Sequence, residues 1–255
     1  AALVEANGAI YAAYLRNVFV DDPAFRDAAS AWAVEEQRHG DVLGRWASLA
    51  DPAFDYPASL ARFRDGYSVP VDVGASVRGT RSGELIARCV VEAGTSSLYS
   101  AIAAASDEPV LAEICRRIAA DEFRHYKLFH DALRAYLDIE NLGRWRRVLI
   151  ALGRILETED DELAFAYHCA NHPHRAYDRA RCARAFARRV YRVYRRVHIE
   201  RAVAMVLKVM GFSPRGRIGR GLARVAWRLV QWRAARLARD YPSSINGANS
   251  STTAA

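Results

Sequence analysis

The chain has 255 residues, 51% hydrophobic and 26% charged, and a net charge of +8. That length and composition support a substantial core and exclude collagen-like or broadly disordered classes. No apolar run approaches the ~18 residues of a membrane span. The most apolar late stretch, "AVAMVLKVMGF" (202–212), is too short and carries Lys208.

The apolar period is helical nearly throughout, which predicts an all-α chain. A first helix is expected over Ala2–Val20. Asn7-Gly8 is a turn dipeptide, but Leu3, Val4, Ile10, Tyr11, Tyr14 and Leu15 hold the period across it. "VDDPAF" predicts a turn with Asp22 as N-cap and Pro23 at the first helical position. A second helix then runs to Ala50, before Pro52. Residues 51–82, rich in Asp, Pro, Gly and Ser, read as a long crossover with a short helix near "PASLARF". A third helix is expected over Gly83–Ala105 and a fourth over 108–139, opened by "SDEP". "RWRRVLIALGRILE" reads as a fifth, amphipathic helix, and 159–170 as a sixth. After "NHPH", two long Arg-rich helices are expected over 176–211 and 217–238. The low-complexity end, "PSSINGANSSTTAA", predicts a disordered tail at 241–255. Residues 1–140 would form a helical bundle, with 141–240 packed on it.

Charge is uneven: residues 175–239 hold 19 Lys+Arg against 2 Asp+Glu. Cys89, Cys115, Cys169 and Cys182 show no C-x-x-C spacing and read as buried free thiols of a reducing, cytoplasmic setting. The N-terminus has no signal-peptide pattern. The chain starts at Ala1, without Met and already inside a periodic segment, which fits the removal of earlier residues.

The chemistry concentrates in two Glu-x-x-His pairs, Glu36/His39 and Glu122/His125. Residues three apart share a helix face. One such pair means little, because 13 Glu and 7 His give roughly a third of one match by chance. The preceding helices strengthen the case. Glu5 lies 31 residues before Glu36, and Glu92 lies 30 before Glu122. If each pair of helices folds as an antiparallel hairpin, all four carboxylates stand at one height, roughly 20 Å from the turn at 1.5 Å per residue. One Glu from each of two helices and Glu-x-x-His from each of two others is the ligand pattern of ferritin-like di-metal proteins, in a four-helix bundle with a long crossover. Burying four acids bare is costly; two divalent cations hold them ionised. Carboxylate and imidazole ligands suit iron or manganese and reaction with dioxygen.

At these residues the sequence resembles the soluble acyl-[acyl-carrier-protein] desaturases, a branch of the ferritin-like di-iron proteins. The likeness rests on "W-x-x-EE-x-RHGD", Trp32 to Asp41, and "IAADE-x-RH", Ile118 to His125. It is looser around Glu5, near Tyr11, and around Glu92, followed by Thr95. It covers roughly residues 1–140. The resemblance implies that Glu5, Glu36, His39, Glu92, Glu122 and His125 ligate two Fe ions (Fe2+/Fe3+). It places Thr95 near a dioxygen face, where its hydroxyl assists proton delivery, and sets Trp32 and Asp121 behind the ligands on an electron route. It further implies a homodimer that takes electrons from a ferredoxin-type donor and uses dioxygen to desaturate an acyl chain on acyl carrier protein.

Rival readings are another di-iron oxygenase or hydroxylase, or a non-catalytic metal-binding protein such as an iron store. The arylamine N-oxygenase type adds a His one turn before the second Glu-x-x-His, and Ile118 occupies that position here. A storage cage is awkward with a long basic extension. Gly8, Gly94, Ala6, Ala93 and Ser96 beside the lone carboxylates would either leave room for dioxygen or a slim acyl chain, or serve close helix packing. Arg38 and Arg124, each preceding a ligand His, either pair with acids behind the ligands or face outward. "YHCANHPHR" (His168, His172, His174) lacks metal spacing, and His198 and Glu200 read as solvated. The Arg-rich helices suit an acidic carrier protein or anionic lipid headgroups, where Trp227, Leu229, Val230 and Trp232 interleave with Arg224, Arg228 and Arg233; nucleic acid is a weaker fit.

Overall fold

The structure is a computed structural model that describes residues 1–157 and 161–239. The described residues form helices and connections and no strand. In order the helices are α1 (Ala2–Glu5), α2 (Gly8–Val18), α3 (Pro23–Ala50), α4 (Tyr56–Gly66), α5 (Arg81–Ala105) and α6 (Pro109–Glu140). There follow α7 (Arg144–Leu156), α8 (Asp161–Asn171), α9 (Arg179–Val193), α10 (Arg196–Val209) and α11 (Arg217–Arg239). The tail read as disordered, 241–255, lies outside the described residues.

Local chemistry sets the two long hairpins. Asp22 Oδ1 accepts from Phe25 N at 3.0 Å, and Pro23 opens α3 where its missing N–H costs nothing. Glu108 caps α6 in the same way, accepting from Val110 N and Leu111 N ahead of Pro109. α6 ends at Asn141, whose φ of 50° is a left-handed cap that Asn tolerates. α2 packs on α3 and α5 on α6, and α3 also meets α6. Leu15 and Phe19, Phe25 and Trp32, Leu85 and Ile86, and Phe129 and Leu133 bring α2, α3, α5 and α6 into one core. α7 and α10 close its far side: Ala151, Leu207 and Val209 join the same cluster. Tyr126 of α6 and Ser97 of α5 donate to the Met205 and His198 carbonyls of α10. The four cysteines are free and buried.

Two expected helices are broken. The first divides at Ala6–Asn7, where the turn dipeptide prevails over the apolar period. The break lays the backbone against α3. A Cβ on Gly40 would stand 2.5 Å from Ala6 N, and one on Gly8 would stand 2.6 Å from Glu36 Cβ. The freed Ala6 carbonyl accepts from Arg64 Nη2 at 2.6 Å, so α4 in the crossover holds the turn. The Arg-rich 176–211 helix divides at Tyr194–Arg195, both extended. Arg195 N there donates to His198 Nδ1 at 3.1 Å, a cap that lets α10 lie along α5. His198 is therefore buried rather than solvated.

Gly40→Ala tests the close approach. With backbone rather than a flexible side chain in the way, the expected cost is about 1–3 kcal/mol by chemical denaturation. A variant as stable as the parent would mean that α1 yields freely.

Candidate metal centre

Each of the six expected residues arrives on a different part of this frame. Glu5 ends α1, one residue before the break. Glu36 and His39 lie mid-α3, Glu92 mid-α5, and Glu122 and His125 mid-α6. All six are buried. Their ligand atoms fall into two sets, each within 4.8 Å of one another: Glu5, Glu36, His39 and Glu122, and Glu36, Glu92, Glu122 and His125. Glu36 and Glu122 are thus common to both sets, and Glu5 and Glu92 stand at the ends.

The two histidines are arranged alike. His39 Nδ1 lies 3.8 Å from Glu5, 3.8 Å from Glu36 and 3.1 Å from Glu122. His125 Nδ1 lies 3.0 Å from Glu36, 3.7 Å from Glu92 and 3.9 Å from Glu122. Both Nδ1 atoms, Glu36 Oε1 and Glu122 Oε1 are buried and face one another, with no hydrogen-bond partner outside the cluster. Orphaned buried donors and acceptors are costly, and four converging on one point fit a cation site. On the far edge of each ring, Nε2 meets a carboxylate: Asp121 at 3.1 Å from His39 and Glu35 at 2.9 Å from His125. A carboxylate behind each histidine fixes Nε2–H and leaves Nδ1 as the ligand atom.

Asp121 thus stands behind His39. Glu35 was missed. Its signal was the internal repeat: the Glu of each Glu-x-x-His pair follows another acid, as Glu35-Glu36 and Asp121-Glu122. Arg124 pairs with Asp121 and, at 3.2 Å, with Glu35, so it ties the two backing acids together. Arg38 is exposed. Trp32 packs its ring edge-on to His125 at 6.5 Å and to Phe129 at 5.5 Å, and its indole N–H is buried without a partner. Thr95 Oγ1 donates to Glu122 Oε2 at 2.6 Å. Tyr99 was also missed. Its hydroxyl donates to Glu5 Oε1 at 2.5 Å, from two turns after Glu92 on the same face of α5.

Among the small residues, Gly8 and Ala6 serve close packing; only at Gly94 would a Cβ meet nothing within 4 Å. Val34, Val42 and Phe123, close to the ligands in sequence, are exposed. A cleft of about 540 Å³ between α3 and α6 reaches the outer edge of the site. Val42, Val110, Ile114 and Ile118 give it apolar walls beside His39, and Arg38, Arg117, Glu113 and Asp121 give it charges of both signs. The His168 cluster forms no metal group among the described residues: His168 meets Phe165 and Tyr177, and His172 meets Tyr167.

Burial raises Glu5 and Glu92 well above the carboxylate range, with the Glu122 and Glu36 charges adding to it. Burial pushes the other way on His39, but hydrogen bonds to Glu122, Glu36 and Glu5 overcome it and take the ring up to about 12. His125 rises for the same reasons. Burial would also raise Glu36 and Glu122, yet both fall below the ordinary value because His125 and His39 bond to them. A cation held here would compete with protons for the same atoms.

Asp121→Asn and Glu35→Gln are each expected to lower metal affinity about 10–100-fold in a calorimetric titration. Arg124→Ala, which frees both acids, is expected to weaken both sites; Arg124→Lys should restore part of the loss. A search against protein-family models and one against curated proteins each return no match.

Proposed function

We propose that the chain is a dioxygen-dependent oxidoreductase built on a ferritin-like four-helix bundle of α2, α3, α5 and α6. Its centre holds two irons and its activity is the desaturation of an acyl chain carried by acyl carrier protein. The observation that carries the metal reading is the meeting, at one depth, of six buried ligands, four of which turn inward atoms that find no hydrogen-bond partner outside the cluster. The step to an acyl substrate rests on the sequence resemblance. Glu5 and His39 would hold one iron and Glu92 and His125 the other, with Glu36 and Glu122 shared between them. When bound, two irons supply the dioxygen-activating, two-electron oxidation that no side chain can perform.

The chain's own groups prepare that chemistry. Thr95 holds a proton 2.6 Å from Glu122 Oε2, and Tyr99 holds one against Glu5 Oε1, so α5 brings two donors to the cluster. The α3–α6 cleft reaches the Nε2 edge of His39, away from the ion-facing Nδ1. It therefore suits electron delivery through Asp121 better than seating an acyl chain.

The test is anaerobic loading of chelated protein with ferrous iron, followed by dioxygen, a ferredoxin-type reductant and acyl carrier protein substrates. The expected result is the optical signature of a coupled ferric pair and, by mass spectrometry, an acyl product lacking two hydrogens. A coupled iron pair with no dehydrogenated product from any carrier substrate would retire the desaturase activity and leave the metal centre.

A further inference from the structure

α11 leaves an apolar stripe uncovered. Ile218, Leu222, Val225, Leu229 and Trp232 repeat at steps of four and three residues, so they share one helix face, and each is 45–70% exposed. The opposite face packs inward through Gly219 and Ala223, on α9 and α10. Trp227 and Val230 turn toward that packed side, so the sequence's apparent interleaving resolves into two separate faces. The charge pattern is one-sided: Arg217–Arg239 contains seven Arg and no Asp or Glu. Arg217, Arg224 and Arg228 fall beside the stripe on the helical wheel, and Arg236 sits 5.5 Å over the Trp232 ring. α7 repeats the design. Trp145, Leu149 and Leu152 are exposed at the same spacing on a helix with four Arg and no acid. The two helices begin near one another, since Arg144 of α7 lies over Phe212, just before α11.

We propose that this surface, led by α11, docks flat on an anionic lipid bilayer. The stripe would sink into the boundary between headgroups and acyl chains while the bordering arginines meet lipid phosphates and carboxylates. Charge complementarity selects this occupant. Pairing α11 with α11 of a second copy would set seven cations against seven. A single row of large apolar side chains bordered by arginines, with Trp232 near one end, matches the pattern of helices that lie in a bilayer interface. The helix is too polar to cross the membrane, so the chain lies on the surface. This inference is independent of the metal centre.

The experiment is co-sedimentation of the full chain with vesicles of phosphatidylcholine alone or mixed with phosphatidylglycerol. Binding is expected only to the anionic vesicles, weakening with salt. Arg224→Gln with Arg228→Gln should lower partitioning about fivefold per arginine. Leu229→Glu with Trp232→Glu should lower it at least ~10-fold, with the far-ultraviolet circular dichroism unchanged. Equal binding to both vesicle types, or none to the anionic ones, overturns the proposal. So does a dimer in light scattering that the Leu229/Trp232 variant dissociates, which assigns the stripe to a second copy. Binding to acidic carrier protein that the same variant abolishes, with no vesicle binding, assigns it to a protein partner.

Discussion

Glu122→Ala is expected to empty both candidate metal sites at once, whereas Glu5→Ala or Glu92→Ala should empty only one. The asymmetry follows from geometry: Glu122 and Glu36 belong to both ligand sets, and Glu5 and Glu92 each belong to one. Changing a group behind a ligand costs about 10–100-fold in affinity, so losing a shared ligand should exceed that at both sites. Stability follows. A cation at 100 times its dissociation constant adds about 2.7 kcal/mol, so the loaded parent should melt well above the loaded Glu122→Ala variant. Chelated, the two should lie closer together, because the cation's share of the gap is gone. Metal analysis after gel filtration and melts with and without chelator measure both effects. A Glu122→Ala protein that keeps one cation at parental affinity would contradict the sharing.

The second large effect is a divergence of stability with pH between chelated and metal-loaded protein. In the chelated chain, His39 rises to about 12: burial opposes its protonation, but Glu122, Glu36 and Glu5 outweigh it, and His125 goes the same way. Burial holds Glu5 and Glu92 protonated well above their ordinary range. In all four, the folded chain keeps a proton that the unfolded chain releases, the glutamates above about pH 4.3 and the histidines above about pH 6.5. Stability falls with pH wherever the folded state binds more protons, by up to ~1.4 kcal/mol per pH unit for each group. Glu36 and Glu122 have the opposite sign. Their values are depressed, so their contribution is present above the ordinary carboxylate range and is lost as pH falls through the folded values. The chelated chain should therefore be most stable near about pH 5 and melt progressively lower toward alkaline pH. Cations displace those protons, so metal affinity rises with pH and the loaded chain should not share the decline. Scanning calorimetry from acid to alkaline pH, with metal and with chelator, reads the widening gap. A gap that stays constant would mean that protons and cations do not compete.

Much of this centre was legible because its signals are local and periodic. Asp22-Pro23 and Glu108-Pro109 fix where two long helices begin, and counting residues from those turns places Glu5, Glu36, Glu92 and Glu122 at one height. The break at Ala6–Asn7 was signalled by Asn7-Gly8 but outweighed by apolar residues on both sides. What settles it is tertiary: Gly40 lets Ala6 approach, and Arg64, 58 residues away, takes the freed carbonyl. Nothing in "VYRRVH" marks the break at Tyr194–Arg195, which depends on the capping nitrogen of His198 and the seat of α10 on α5. Glu35 and Tyr99 escaped because their partners lie on other helices, although the paired acids before each histidine pointed to the first. The exposed faces of α7 and α11 required the structure, because a helical period says that one face is apolar and not which face a neighbour covers.

The most direct measurement is the location of bound metal in crystals of the loaded chain by anomalous scattering. Two peaks are predicted in the interior between α3 and α6, one touching Glu5 and His39, the other Glu92 and His125, with Glu36 and Glu122 reaching both. A single peak at the surface, or an interior with no metal after loading at neutral pH, would contradict the account.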